Sequence, residues 1–144
     1  MPKSSIEFTV LASIEEVWNL MSDAKTNTHC IPGCISCTIA GPNTAEWVLR
    51  FEVGPFAKRL VIKSKSEFID PPHHGRWVGS TKDARMSGEI QLEDCGDNTT
   101  KVHYTQIIEL RSLIMRSVET LIKDKMDSDI RLYAKNIKEQ LENE

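Results

Sequence analysis

Apolar and polar positions follow two different periods along this chain. From residue 5 to 110 the period is mostly two. From Ser112 to Leu141 it becomes three to four, with Ile114, Val118, Leu121, Ile122, Met126, Ile130, Tyr133, Ile137 and Leu141 on one stripe. That spacing predicts an α-helix with Lys123, Asp124, Asp127, Arg131, Lys135, Lys138 and Glu142 facing water. No Gly or Pro interrupts the stretch, so the helix should run roughly 45 Å. It cannot hide its apolar face alone, and a sheet must cover it.

The earlier residues read as that sheet. Ile6, Phe8 and Val10 alternate with Glu7 and Thr9 as a half-buried strand over 5–11. Ser13 to Glu16 matches the capping box, and the helix it opens turns Val17, Trp18 and Met21 inward. A short helical turn over 24–29 is stopped by Pro32-Gly33. Ile35, Cys37 and Ile39 then share an inward strand face, followed by a turn at Gly41-Pro42-Asn43. Ala45, Trp47, Leu49, Phe51 and Val53 form the clearest strand. Beyond Gly54-Pro55, residues 57–69 place Leu60, Ile62, Ser64, Ser66 and Phe68 on one face until Asp70-Pro71-Pro72 ends the strand. Strands over 75–81, 85–93 and 99–110 follow, the last two joined by a hairpin at Cys95-Gly96-Asp97-Asn98. Val102, Tyr104, Gln106, Ile108 and Leu110 share the inner face of the final strand. The order predicts an α+β fold: about seven antiparallel strands, one or two short helices after the first, and a long C-terminal helix. No linker or repeat divides residues 1–144, so one domain is expected.

Composition narrows the classes. A chain of 144 residues, 40% apolar and 27% charged, buries a core without disulfides or metal. The formal charge of −3 and the absence of a Lys/Arg block disfavour nucleic acid as a partner. No apolar run is long enough to span a membrane. The N-terminus leads straight into a strand rather than a signal peptide, so the four cysteines are expected as free thiols in the cytoplasm.

Several segments point further. Phe8-Thr9-Val10 with Ser13-Ile14-Glu15-Glu16-Val17-Trp18, the turn Cys30-Ile31-Pro32-Gly33-Cys34, the hairpin Phe51-Glu52-Val53-Gly54-Pro55-Phe56 and the stop Asp70-Pro71-Pro72 span almost the whole chain. In these the sequence resembles the START-related lipid- and hormone-binding superfamily, and within it the carbon monoxide dehydrogenase G-subunit family. The resemblance implies a helix-grip fold, a curved sheet wrapped around the C-terminal helix with an internal cavity. It also implies a role beside a molybdenum-containing hydroxylase or dehydrogenase, in maturation, membrane recruitment or handling of a quinone-like lipid. The chain departs from the family where some members carry a membrane-anchoring tail. It also has Gly79-Ser80-Thr81-Lys82-Asp83-Ala84 in place of a glycine-rich run. The cavity, rather than the anchor, is what the resemblance carries over.

Cavity residues can be named from strand parity. Ser64, Ser66 and Gln106 fall at inward positions where a packed core would hold Val or Leu. With Trp18, Trp47, Phe51, Met86, Tyr104, Val118, Ile122 and Met126 they compose a mostly apolar wall with a few polar groups. A parity slip of one residue would instead turn both serines to solvent. The expected ligand is a small hydrophobic molecule whose polar end meets Tyr104, Gln106 and the serines. Rival readings are a cyclase-like enzyme using Tyr104 as proton donor, or a filled-core module that docks a larger enzyme. No nucleophile with a base and no paired carboxylates share an inward face, so no catalytic residue is assigned. Cys30, Cys34 and Cys37 have the spacing of a radical S-adenosylmethionine cluster motif. The chain has too few helices for the barrel that chemistry needs, so chance spacing is expected, with no metal or cofactor. His73 and His74 are expected as solvated imidazoles, and Asp124, Asp127 and Asp129 as a solvated helix face. Arg85 and Glu89 read as surface charges.

Overall fold

The computed structural model describes residues 1–142. The elements in order are β1 (Lys3–Val10), α1 (Ile14–Ser22), α2 (Ala24–Asn27), β2 (Cys34–Gly41), β3 (Thr44–Val53), β4 (Phe56–Asp70), β5 (His74–Thr81), β6 (Ala84–Gly96), β7 (Thr99–Leu110), α3 (Leu113–Ser117) and α4 (Glu119–Glu142). All seven strands form one antiparallel sheet in the order β1-β7-β6-β5-β4-β3-β2. β1 therefore closes one edge beside the last strand, and β2 lies at the other. The sheet curves around α4, as the element order predicts.

Local chemistry explains the elements. Ser13 accepts from the Glu16 amide at 3.2 Å, and the Glu16 carboxylate takes the Ser13 amide, completing the capping box. The β6–β7 hairpin turns on Asp97 and Asn98, both at positive φ, the two-residue turn that suits twisted strands. Gly33 has φ +76°, and an added Cβ would stand 2.5 Å from the Arg50 carbonyl oxygen. Only glycine fits there, because the loop lies directly against β3 and its carbonyl accepts from the Arg50 amide at 2.8 Å. Register shifts in β2, β4 and β6 bend the sheet.

Four expectations need correction. The long helix breaks at Val118, whose φ of −114° and ψ of 23° end α3 before α4 begins. Nothing in the local sequence stops it; tertiary contacts do. Arg116 donates to the Leu110 carbonyl, and Met115 and Val118 pack onto the core cluster under the sheet, holding α3 across the sheet's end. On β2, Cys37 and Ile39 keep the inner register opposite Trp47 and Ala45, Ile39 half-exposed at the sheet edge, whereas Ile35 falls in the register shift between Cys34 and Ser36 and leaves that face. On β4, the shift between Ser66 and Phe68 reverses parity, so Ile69 takes the inner register opposite Gly75. Phe68 instead meets His74, with ring centroids 4.9 Å apart. His74 is consequently not a free surface imidazole: its Nε2 also lies 2.9 Å from a Glu89 carboxylate oxygen.

The core forms two clusters. One gathers Val10, Val17, Trp18, Leu92, Val102, Tyr133 and Ile137 where α1 fills the concavity. The other gathers Val53, Ile62, Met86, Ile108, Leu110, Ile122 and Met126 beneath the first half of α4. Between them the sheet and helix diverge.

Candidate functional site

The divergence leaves a cavity of about 430 Å³. Small-molecule sites commonly span about 300–1,000 Å³. β3 and β4 supply Trp47, Phe51, Leu60, Ile62, Ser64 and Ser66; β5 to β7 supply Trp77, Met86, Tyr104 and Gln106. α1 contributes Trp18, α3 Met115, and α4 Ile122, Met126, Ile130 and Tyr133. Thus every wall residue expected from the sequence fronts this void except Val118, which packs at the α3–α4 junction onto the second cluster.

Two indoles shape the floor, and both need glycine beneath them. A Cβ on Gly75 would stand 3.1 Å from the Trp18 ring. A Cβ on Gly88 would collide with Trp77 Nε1, and Gly79 also faces the Trp77 ring. Trp77 is therefore laid flat across its neighbouring strand. Parity reasoning missed it as a wall residue. The available signal was Gly75 and Gly79 two positions either side of it, with Gly88 on the next strand: a gap in Cβ atoms that a large ring can occupy.

The polar groups fall into register. Ser66, Trp77, Gly88, Gln106 and Ser4 pair successively across β4, β5, β6, β7 and β1, so they form one transverse rank on the inner face. At its far edge Ser4 donates to Asp127 at 2.7 Å, which is also held by Lys123 at 2.7 Å. Among the described residues no buried side-chain nitrogen or oxygen lacks a partner. Within the rank Trp77 reaches the Tyr104 hydroxyl, while Ser66 and Gln106 line the void. Ser64 is different. It accepts from Trp47 Nε1 at 2.9 Å, so its inward hydroxyl serves the indole of its own wall.

Tyr104 stands in the next rank, tilted against Tyr133 with ring centroids 5.5 Å apart. Burial pushes the Tyr104 hydroxyl up to about 12, partly offset by a polar contact from Trp77. It is thus a neutral hydrogen-bond donor at any physiological pH, not a base. Burial also pushes Tyr133 up, and its hydroxyl donates to Asn27 Oδ1 at 2.7 Å. Together with Asn136, which donates to the Cys30 carbonyl at 2.9 Å, this ties α4 to the α2 loop. Charged groups on the wall lie toward the rim: Asp23, Arg50, Arg76, and Lys125 paired with Asp129 at 2.9 Å.

The three neighbouring cysteines are held as thiols. Burial pushes Cys30, Cys34 and Cys37 up, toward the protonated form that binds metal poorly. Among the described residues no three His, Cys, Asp or Glu side chains converge. No helix among them is long and apolar enough to cross a membrane.

Comparison with known proteins places this architecture. A conserved protein from Geobacillus kaustophilus superposes with a TM-score of 0.83 at 20% identity, over 96% of this chain and 93% of its own. A START superfamily protein from Mycobacterium smegmatis gives 0.79 at 13% identity, over 98% and 97%. The Zhui aromatase/cyclase from a Streptomyces species gives 0.68 at 14% identity, over 96% and 94%. At such identities the likeness establishes the fold alone, a START-like helix grip. No curated protein matches the sequence. The family model for the carbon monoxide dehydrogenase G subunit (CoxG) matches residues 7–142. With nearly its whole length matched, the chain belongs to this CoxG family.

Proposed function

We propose that residues 1–144 act as one START-like unit that holds a small hydrophobic molecule, lipid- or quinone-like, between sheet and helix. The carrying observation is the void of about 430 Å³, walled by aromatic and Met side chains and crossed by one polar rank. An apolar body would displace water from Trp18, Trp47, Phe51, Met86, Ile122 and Met126. At about 25 cal/mol per Å² of buried apolar surface, that desolvation supplies the affinity. Orientation would come from the Gln106 amide, the Ser66 hydroxyl and the Tyr104 O–H, the last held in place by Trp77, which together favour a neutral ligand end rich in acceptor oxygens. A charged end would find no counter-charge deeper than the rim.

The family's name supports an accessory role beside a carbon monoxide dehydrogenase; that the partner is a molybdenum hydroxylase and the setting the cytoplasm are further parts of the proposal. The cyclase reading draws on the likeness to Zhui. Against it, burial raises Tyr104 to about 12, which makes it a poor proton donor, and the carboxylates on the wall, Asp23 and Asp129, are partly exposed.

Native mass spectrometry of the protein from cells, with organic extraction, tests the proposal. An extractable apolar ligand should accompany the protein, or a quinone or fatty-acid probe should bind the emptied cavity. Tyr104→Phe should then bind about five-fold more weakly, the value of one hydrogen bond near 1 kcal/mol, with an unchanged melting temperature. An empty protein that takes up no apolar probe overturns the reading. A Tyr104→Phe variant that binds normally but loses turnover would favour the cyclase.

A further inference from the structure

The polar groups of the cavity do not sit at its middle. Strand register divides the inner face into transverse ranks, each about 7 Å from the next, two residues along a strand. Ile69, Gly75, Ile90 and Tyr104 form one rank, and Ser66, Trp77, Gly88 and Gln106 form the next toward α3. The void ends at the Tyr104 rank. One rank beyond it, Leu92 and Val102 pair with each other, lie buried in the α1 cluster and front no void. Trp18 makes that boundary. Its ring stands over Gly75, where an added Cβ would approach it to 3.1 Å. It belongs to the sealed cluster and fronts the void at the same time.

On the other side of the polar rank the void runs much further. Six residues of β4 separate Ser66 from Leu60, about 20 Å of strand, and both line it. Ser64 lies on this stretch, yet its hydroxyl accepts from Trp47 at 2.9 Å and donates to the Ala45 carbonyl at 3.4 Å. Its only hydrogen is already engaged. Around it stand Ile62, Met86, Ile108, Ile122 and Met115, all apolar. A ligand with one polar end thus has little room behind that end and a long apolar channel in front of it.

We propose, building on the cavity as a hydrophobic-ligand site, that Trp18 determines its specificity. It limits the size of the ligand's polar end and leaves the apolar part to run along the strands toward α3. Extra bulk at the polar end meets an indole backed by close-packed neighbours, which cannot yield without repacking the sealed cluster. Extra length at the other end meets Met115 on a five-residue helix, where an unbranched thioether adapts readily. The cavity is strict about the head of its ligand and permissive about the tail.

The test uses phenyl, naphthyl and pyrenyl ketones carrying the same hexyl chain, their affinities for the full chain measured by calorimetry. The phenyl ketone should bind about tenfold or more tightly than the pyrenyl ketone. Trp18→Ala should abolish or reverse that preference, whereas Trp47→Phe should preserve it. Replacing hexyl by decyl should not weaken binding. A second readout needs no variant: methyl stearate carrying a nitroxide near the ester or near the chain end, bound to the unaltered protein. In NMR spectra the ester-side label should broaden the Trp18 indole N–H, and the chain-end label the Met115 methyl. A size preference that a folded Trp18→Ala variant keeps, or a chain-end label that broadens Trp18 and spares Met115, overturns the proposal and leaves ligand binding standing. If no ketone and neither ester binds, the hydrophobic-ligand reading falls and this proposal with it.

Discussion

Where α1 lies in the concavity, Val10, Val17, Val102, Thr100 and Ile137 are sealed from solvent, and Thr100 donates to the Ala12 carbonyl at 2.9 Å. Among the described residues no such plug lies under the first half of α4. Five-residue α3 closes that end, Leu60 and Phe51 are only partly buried, and the gap persists as a cavity. The same sheet and the same helix thus build one cluster sealed by α1 and a second, under the first half of α4, that leaves a void beside it. What separates them is one amphipathic helix of nine residues, present on one side and absent on the other. This arrangement predicts that stability is concentrated where α1 packs, and that the cavity wall can vary at smaller cost.

The contrast can be broken most forcefully at Ile137. Truncation to Ala in the sealed cluster should cost about 2–5 kcal/mol in urea denaturation, because close-packed neighbours cannot collapse into the void. Leu60→Ala on the open wall should cost less, about 1–2 kcal/mol, since it widens a void already present rather than opening one in a sealed core. Equal costs would show that the hollow end is as tightly built as the sealed one.

A smaller effect should follow from filling the seat beneath Trp77. Gly88→Val forces the indole off its strand and should destabilise by about 1–3 kcal/mol. Combined with Trp77→Ala, most of that penalty should vanish, a coupling that a double-mutant cycle reads directly. Additive costs would mean that the indole does not rest on Gly88.

The smallest effect lies at alkaline pH. Tyr104 holds its proton to about 12 in the fold, against 10 for an ordinary tyrosine. The unfolded chain therefore loses that proton first. Its contribution is complete below pH 10 and is lost as pH rises from 10 through 12, with Tyr133 adding in the same direction. Urea midpoints of Tyr104→Phe should fall less steeply above pH 10 than those of the parent chain. An identical slope would place the Tyr104 hydroxyl in contact with bulk water.

Strand alternation located most of the cavity wall because side-chain direction in a ladder is a local property. Ser64 and Ser66 face inward as Leu60 and Ile62 require, and β7 keeps Tyr104 and Gln106 on the face of Ile108. Parity failed where tertiary forces inserted a residue, as at Phe68 and, on the edge strand β2, at Ile35. It also could not show that Ser64 is engaged by Trp47 while Ser66 is not, since that depends on which indole leans across the strands.

Period, capping and turn chemistry in the sequence alone determined the strands, the helix starts, the meander order and the inward face of most elements. All of these follow from torsions and spacing within a few residues. Only the tertiary structure decided the break at Val118, the laying of Trp77 over Gly88, the alignment of Ser66, Trp77 and Gln106 into one rank, and the hollow itself. A void is the distance left between two surfaces, and that distance is set by what packs at its ends, not by any residue that lines it.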